Sequence, residues 1–307
     1  MDVTKRSPRK KTDGRLKGFL LLFTLPTLAL YAVLYIWPFI YAFYLSLFRW
    51  KGYSLTNMIY AGLYNYKTLF SDNIVWIGLK NNLFFLGCST IVIFFFSLLF
   101  AVALTRLKRI RHPSFYRVIY FFPNVLSIIV VGVLWMFIYN PNFGLLNGVL
   151  QTLGLDFLIR DWLGDKGMVM SALIAPQAWM YIGFYMILFI AAIQNVPEEY
   201  YESAVIDGAG QFRQLFFVTI PLIWGTLRTA FVFFVVNAFA RTFALVYVVT
   251  GGGPNHASEL LTTYLYDQAF TYSNFGYGSA IGVFLFAVVC VISMIVMRVT
   301  EREVIEY

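Results

Sequence analysis

Six long apolar stretches constrain this sequence more than any other feature. A helix that crosses a bilayer needs about 20 predominantly apolar residues. Stretches of this kind lie at 18–47, 82–105, 118–139, 168–193, 225–249 and 276–298. Charged residues make up only 12% of the 307-residue chain, about half their share in an ordinary soluble domain. The sequence therefore predicts an all-α integral membrane protein of six transmembrane helices, with a transmembrane domain over 18–298.

The two ends of the chain lie outside these stretches. A basic tail, 1–17, precedes the first stretch, and a short tail, 299–307, follows the last. The first stretch is longer than the roughly 7–15-residue apolar core of a signal peptide, and no small-residue cleavage site follows it. We interpret it as a membrane anchor. Because it contains Pro26 and Pro38, we expect it to be tilted, kinked or continued outside the bilayer.

Positive charge is unevenly distributed along the chain. The formal net charge is +8, but Lys and Arg cluster beside the apolar stretches rather than along an aromatic-rich polar face, which argues against a nucleic-acid partner. With the N-terminus inside, the inner segments hold 16 of the 23 Lys and Arg residues, and the outer loops hold six. Positively charged loops stay on the cytoplasmic side. Both termini are therefore predicted to be cytoplasmic, with the basic tail against anionic membrane lipid.

The longest inner loop, 194–224, has the pattern of two short helices. Pro197 suits the first turn of a helix, and the acidic residues after it favour the positive N-terminal end. Asp207-Gly208 supplies a turn, and apolar residues then recur at helical spacing from Gln211 to Pro221. This pattern leaves two interpretations open: an amphipathic hairpin that merely connects two transmembrane helices, or a docking element for a cytoplasmic partner.

Residues 202–223, ESAVIDGAGQFRQLFFVTIPLI, closely resemble the cytoplasmic EAA loop of bacterial ATP-binding-cassette (ABC) importer permeases. The family pattern is Glu-Ala-Ala, then Asp-Gly-Ala, then a helix ending in Leu-Pro. Ser203 here replaces an Ala, and Ile220 replaces the Leu. The resemblance implies the ABC type I importer permease fold. It also implies that the contact with an ATPase is made by Glu202, Ala204, Asp207 and Gly208.

Four further segments resemble the sugar-importer group related to the maltose permease, in its first-permease type. They are AGLYNYKTLF (61–70), YRVIYFFPNVLSIIVVGVLW (116–135), NPNFGLLN (140–147) and FALVYVVTGGGPNHASELLTTYLYDQAF (243–270). One departure is Ala244, where many relatives have Asp. The resemblance implies a multi-pass protein of the bacterial cytoplasmic (inner) membrane. It also implies three kinds of partner: a second homologous permease subunit, two ATPase subunits and an extracytoplasmic solute-binding protein.

The sequence lacks the residues that would make it an ATPase or a metalloenzyme. It has no phosphate-binding loop of the form G-x-x-x-x-G-K-[ST], and no His–carboxylate or Cys cluster. We expect no catalytic residue, no metal site and no cofactor in this chain, with ATP and Mg bound by the partner ATPase. The implied function is half of a translocation pathway for a di- or oligosaccharide, operating by alternating access. The alternative is an ion-coupled secondary transporter or channel subunit, which would usually have carboxylates within its membrane helices.

Polar side chains inside the apolar stretches are the candidates for substrate binding, because they are costly in a bilayer. They are Asn124, Ser127, Gln177, Tyr181, Asn237, Arg241 and Thr242. Residues four apart share one helical face, as do Gln177 with Tyr181 and Asn237 with Arg241. Hydrogen bonding between helices is the competing interpretation.

The resemblance to maltose-type permeases favours four of these residues as sugar contacts: Asn124, Gln177, Tyr181 and Thr242. Asn237 and Arg241 depend on helix geometry alone. Trp179, Phe184 and Phe239 are candidates for stacking on sugar faces. Arg241 leaves an anionic sugar or a glycerol phosphate open as the solute.

Overall fold

The computed structural model describes residues 14–52, 57–106 and 111–301. The predicted tails, 1–17 and 299–307, lie mostly outside the described residues. A short ladder pairs β1 (Phe48–Arg49) with β2 (Ile59–Tyr60). The helices are α1 (Gly14–Tyr31), α2 (Trp37–Ser46), α3 (Tyr64–Ser71), α4 (Asn73–Arg106), α5 (Pro113–Val125), α6 (Ile128–Ile138), α7 (Leu145–Thr152), α8 (Val169–Gln194), α9 (Glu198–Ile206), α10 (Gln211–Gln214), α11 (Ile220–Leu222), α12 (Trp224–Val249), α13 (Leu261–Tyr266) and α14 (Phe275–Val299).

Four helices are long and apolar enough to cross a membrane: Leu21–Ser46, Asn73–Arg106, Val169–Gln194 and Phe275–Val299. Two bent pairs bring the number to six if each pair counts as one span. They are Pro113–Val125 with Ile128–Ile138, bent by 98°, and Gln211–Leu222 with Trp224–Phe239, bent by 73°. The all-α membrane class is confirmed. The count of six spans and the cytoplasmic placement of both termini stay predictions.

The third apolar stretch, 118–139, is not one continuous helix but a bent pair, α5 and α6, and its assignment as one span stays a prediction. α5 ends and α6 begins on either side of Leu126 and Ser127, whose ψ angles of 147° and 137° are those of extended backbone. Pro123 weakens the preceding turn because it lacks an N–H. The N–H of Leu126 then bonds to the Pro123 carbonyl and closes the helix.

Two prolines in long apolar segments follow π-helical turns. The turn Ala32–Ile36 comes directly before α2, whose second residue is Pro38. The turn Leu215–Thr219 comes directly before α11, whose second residue is Pro221. A proline ring pushes against the carbonyl one turn earlier, and a widened turn relieves that contact. The expected irregularity of the first apolar stretch is therefore found as a local π-helical turn.

α8 is the central helix of the fold and packs against α4, α5 and α12. Its Met186 and Phe189 are fully buried together with Ile93 of α4. Ser97 of α4 donates a hydrogen bond of 2.8 Å to a carbonyl of α8. By contrast, α1 and α2 expose most of their apolar side chains, and α14 exposes several in its second half. These surfaces are suited to lipid or to another membrane chain.

A compact cap follows α12 at the end of the bundle remote from the 194–224 loop. Gly252 has a φ of +84°, and a β-carbon at this position would lie 2.6 Å from a carboxylate oxygen of Glu259. Glu259 is buried and pairs with His256 at 2.7 Å. Asn81 of α4 donates a 2.9 Å hydrogen bond to the backbone carbonyl of Glu259. These contacts fix the cap to the helix next to it.

Candidate functional site

A cavity of about 130 Å³ lies between α5, α8 and α12. Five of the seven predicted polar residues line it: Asn124, Gln177, Tyr181, Asn237 and Arg241. Apolar and aromatic side chains complete the wall: Phe184, Tyr185, Phe233, Phe234 and Ala238. Amide, hydroxyl and guanidinium groups thus share one space with aromatic rings. This combination offers both hydrogen bonds and stacking surfaces to a polar solute.

Thr242 lies behind the wall of the cavity rather than in it. Only 1% of Thr242 is exposed, and its hydroxyl is 2.5 Å from the carbonyl of Ala238. The same hydroxyl is 3.4 Å from the side-chain oxygen of Gln177. Because the single hydroxyl proton is taken by the close Ala238 carbonyl, the longer contact with Gln177 is weak, and Thr242 supports Gln177 mainly by lying against it.

Ser127 and two of the aromatic candidates do not line the cavity. Ser127 precedes α6 at the break after α5, where it is exposed. Trp179 packs against Trp135 instead, and Phe239 is buried elsewhere in the bundle. Ser127 lies at the point where the helix through 118–139 is interrupted, and its assignment to the substrate site stays a prediction.

Four cavity residues escaped the sequence analysis, Tyr185, Phe233, Phe234 and Ala238, although helical spacing offered a signal for two of them. Tyr185 is four residues after Tyr181, and Phe233 is four residues before Asn237. Residues four apart share a face, so the same rule that paired the polar residues also identifies these neighbours. Phe234 lies next to Phe233, with its ring 5.8 Å from that of Tyr185.

Arg241 brings a positive charge to the cavity. It forms no ion pair within the described part of the chain, and no Asp or Glu lines the cavity among those residues. An ionised group inside a membrane is costly unless it is paired or lines a water-filled space. The cavity is therefore chemically suited to a solute with a negative group or with many hydroxyl oxygens.

A larger groove of about 680 Å³ lies beside the cavity along α12. The two spaces share Phe233 and Asn237. The groove extends to the first turn of α12, where Trp224 lies, and Met297 of α14 forms its other side. The groove therefore lies between the residues that border the polar cavity and the end of the bundle where the 194–224 loop lies.

The 194–224 loop folds as the helix–turn–helix that the sequence predicts. α9 begins at Glu198 directly after Pro197, and α10 follows from Gln211. Gly208, between them, has a φ of +74°. Glycine adopts such angles without the steric cost that a Cβ brings. The position of Gly208 in the motif thus has a direct conformational cause.

The hydrogen bonds at the end of α9 form a Schellman motif. The N–H of Gly208 bonds to the carbonyl of Val205 at 3.0 Å, and the N–H of Ala209 bonds to the carbonyl of Ala204 at 2.8 Å. This pairing satisfies carbonyls that a helix end would otherwise leave without partners. Ala204 therefore contributes its backbone to the turn, and the Asp-Gly-Ala sequence determines where α9 stops.

The loop presents apolar and acidic side chains side by side. Glu202 and Asp207 are exposed, and so are the apolar side chains of Val205, Ile206 and Phe212. Contiguous exposed apolar side chains rimmed by polar groups mark surfaces that another protein or a membrane covers. Such a surface fits both interpretations left open by the sequence, a hairpin on the membrane and a docking element for a partner.

Residues 93–306 match the family described as "Binding-protein-dependent transport system inner membrane component", a range that includes both the cavity and the loop. The chain belongs to this family. The permease is 38% identical over 277 residues to a probable ABC transporter permease protein, YurN, of Bacillus subtilis, covering 90% of the permease and 94% of that relative. It is also 38% identical over 301 residues to the diacetylchitobiose uptake system permease protein NgcF of Streptomyces coelicolor, covering 95% and 85% of the two chains.

The same fold is found in a chain of a bacterial alginate ABC transporter, solved in complex with an alginate pentasaccharide-bound periplasmic protein. The TM-score is 0.81 at 23% identity, and the match covers 97% of the permease and 100% of that chain. The permease is thus a multi-pass membrane subunit of an ABC importer, and the predicted absence of an enzymatic role is confirmed. The alternative of an ion-coupled secondary transporter or channel is not supported.

Proposed function

We propose that the permease forms half of a pathway that imports a di- or oligosaccharide by alternating access across the bacterial inner membrane. The observation that carries this proposal is the cavity in which Asn124, Gln177 and Tyr181 meet aromatic rings. A sugar offers hydroxyl groups to the amides and apolar ring faces to the aromatics. The relative from Streptomyces coelicolor takes up diacetylchitobiose by its description, and the structural neighbour is an alginate transporter. Both support a saccharide solute.

The proposed assembly contains a second homologous permease, two ATPase chains and an extracytoplasmic solute-binding protein. The exposed apolar sides of α1, α2 and α14 suit membrane lipid and the second permease. The acidic and apolar surface of the 194–224 loop suits an ATPase, which would bind ATP and Mg. The complex of the structural neighbour with a periplasmic protein supports the solute-binding protein as a partner.

An anionic saccharide is a second candidate, and Arg241 favours it. A guanidinium group pairs with a carboxylate or phosphate through charge-assisted hydrogen bonds, which are stronger than bonds between neutral groups. The structural neighbour transports alginate, an acidic polysaccharide. Uptake of a uronate oligosaccharide and of its neutral counterpart distinguishes the two candidates. If the solute is anionic, Arg241→Gln reduces uptake of the uronate far more than uptake of the neutral sugar.

The complete transporter, purified through a tag on this chain, provides the direct test. Mass spectrometry of the bound solute should identify a saccharide, and ATP-filled proteoliposomes should take it up when the loaded binding protein is present. Gln177→Ala should weaken uptake up to about tenfold, the equivalent of one hydrogen bond. Thr90→Ala is the matched control, because among the described residues the Thr90 hydroxyl bonds only to its own helix, at the Leu86 carbonyl. A bound solute that is not a saccharide would contradict the proposal.

A further inference from the structure

Arg106, the last residue of α4, joins that helix to the first turn of α9. Its two terminal nitrogens bond to the two carboxylate oxygens of Glu198 at 2.7 and 3.1 Å. The guanidinium carbon also lies 3.5 Å from the ring centroid of Tyr201. One arginine therefore makes a bidentate ion pair and a stacking contact with two residues on the same face of α9.

Tyr201 extends this connection to the chain that leads into α12. It is 1% exposed, and its hydroxyl is 3.3 Å from the hydroxyl of Thr219. Thr219 ends the π-helical turn Leu215–Thr219 and donates a hydrogen bond to the carbonyl of Gln214. The contacts thus run from α4, through α9, to the segment directly before α11 and α12.

The geometry distinguishes this cluster from an ordinary surface ion pair. A single exposed pair contributes little, because solvent screens it and two long side chains must be ordered. The Glu198 side chain is indeed 62% exposed, but that of Arg106 is only 24% exposed. The planar guanidinium uses its edge for the carboxylate and its face for the ring. A lysine keeps the charge but cannot make both contacts at once.

We propose that Arg106 is a positioning residue that makes α9, α4 and the start of α12 move together when the ATPase displaces the 194–224 loop. This inference depends on the proposed docking of the ATPase at that loop. α12 contributes Asn237 and Arg241 to the cavity. Movement of α9 through the Arg106 cluster therefore reaches the helix that lines the solute path. Without these contacts, the ATPase would displace α9 and leave α4 and α12 in place.

The test is the number of solute molecules imported per ATP hydrolysed by the complete transporter in proteoliposomes. With Arg106→Ala, we expect assembly and stimulated ATP hydrolysis to continue while this ratio falls about fivefold or more. Arg106→Lys should give an intermediate ratio. The matched control is Arg111→Ala, since Arg111 is an exposed arginine that lies between α4 and α5 and forms no ion pair within the described residues.

A wild-type ratio in Arg106→Ala would overturn the inference. So would an equal fall in uptake and hydrolysis, because the number of solute molecules imported per ATP would then be unchanged and no coupling would have been lost. If Arg106→Ala does not assemble, Tyr201→Phe decides, since it keeps the ring under Arg106 and removes only the bond to Thr219. A lowered ratio in Tyr201→Phe supports the inference, and a wild-type ratio contradicts it. A wild-type complex without ATP-dependent uptake would instead overturn the proposed function, and the inference with it.

Discussion

The hydroxyl of Thr242 lies 3.4 Å from the side-chain oxygen of Gln177, and this contact links α12 to α8 next to the cavity. Both residues are buried. Gln177 faces the cavity, whereas Thr242 stands behind it. A polar residue in a membrane helix can therefore support the wall of the cavity without lining it. Replacing Gln177 removes a group from the wall, while replacing Thr242 releases that group from its position.

Thr242→Val tests this arrangement because valine has nearly the same shape but no hydroxyl. The variant removes the weak contact of the Thr242 hydroxyl with Gln177, at a cost near the lower end of about 0.5–1.5 kcal/mol. We expect apparent affinity for the solute to fall about two- to tenfold, measured as uptake against concentration of loaded binding protein. Thr242→Ser keeps the hydroxyl and should behave like the wild type. Unchanged uptake in both variants would show that Gln177 does not need Thr242.

Periodicity predicted the part of the cavity that α8 and α12 form, because each contributes residues from one unbroken helix. Gln177 with Tyr181, and Asn237 with Arg241, lie on shared faces in the structure as they do in the sequence pattern. The same reasoning did not predict that Ser127 lies outside the cavity wall, since apolar composition continues through the break that begins after Val125. No local pattern reveals that the loop is tied to α4, because the ion pair of Arg106 with Glu198 joins residues 92 positions apart.

Gly183 allows α8 to approach α5, and its replacement should destabilise the bundle. A β-carbon at this position would lie 1.9 Å from the backbone carbonyl oxygen of Tyr120. The two backbones must separate to admit it, and small residues are what permits such close helix packing in membranes. We expect Gly183→Ala to lower the free energy of unfolding by about 1–3 kcal/mol or more.

The thermal unfolding midpoint of the detergent-purified permease measures this effect. Gly87→Ala on α4 is the control, because a β-carbon there has no atom within 4 Å. The prediction requires Gly183→Ala to unfold at a lower temperature than Gly87→Ala. Equal midpoints for the two variants would mean that α5 is free to move away from α8 without cost.

Gly208 should be sensitive to substitution because of its backbone angle and not because of crowding. A β-carbon at Gly208 has no atom within 4 Å, but φ is +74°. A non-glycine residue in this conformation costs roughly 1–2 kcal/mol, while asparagine tolerates it better. We expect Gly208→Val to reduce ATP-dependent uptake strongly and Gly208→Asn to reduce it less, with both proteins still inserted in the membrane.

Gly210 provides the matched control for Gly208. It is two residues away in the same turn and also has open space around its α-carbon. Its φ of −69° is accessible to any residue. Gly210→Ala should therefore transport like the wild type. If Gly208→Val also transports normally, the end of α9 does not need the Schellman geometry for coupling.

The orientation of the permease is tested by placing single cysteines at opposite ends of the bundle. Ser203 is exposed on α9, and Asn142 is exposed between α6 and α7. The segments assigned inside hold 16 Lys and Arg residues, and the outer loops hold six, which places the former in the cytoplasm. We therefore expect Ser203 in the cytoplasm and Asn142 outside. Cys88 and Cys290, both only partly buried, are first replaced by alanine.

A membrane-impermeant maleimide applied to intact cells should label Asn142→Cys at once. It should label Ser203→Cys only after the cells are opened, since the positively charged inner segments hold α9 on the cytoplasmic side. The reverse pattern would invert the topology and remove the 194–224 loop from any cytoplasmic ATPase. Labelling of both positions in intact cells would place them on one side. That result would contradict an odd number of crossings between Asn142 and Ser203, and therefore the assignment of α8 as a span.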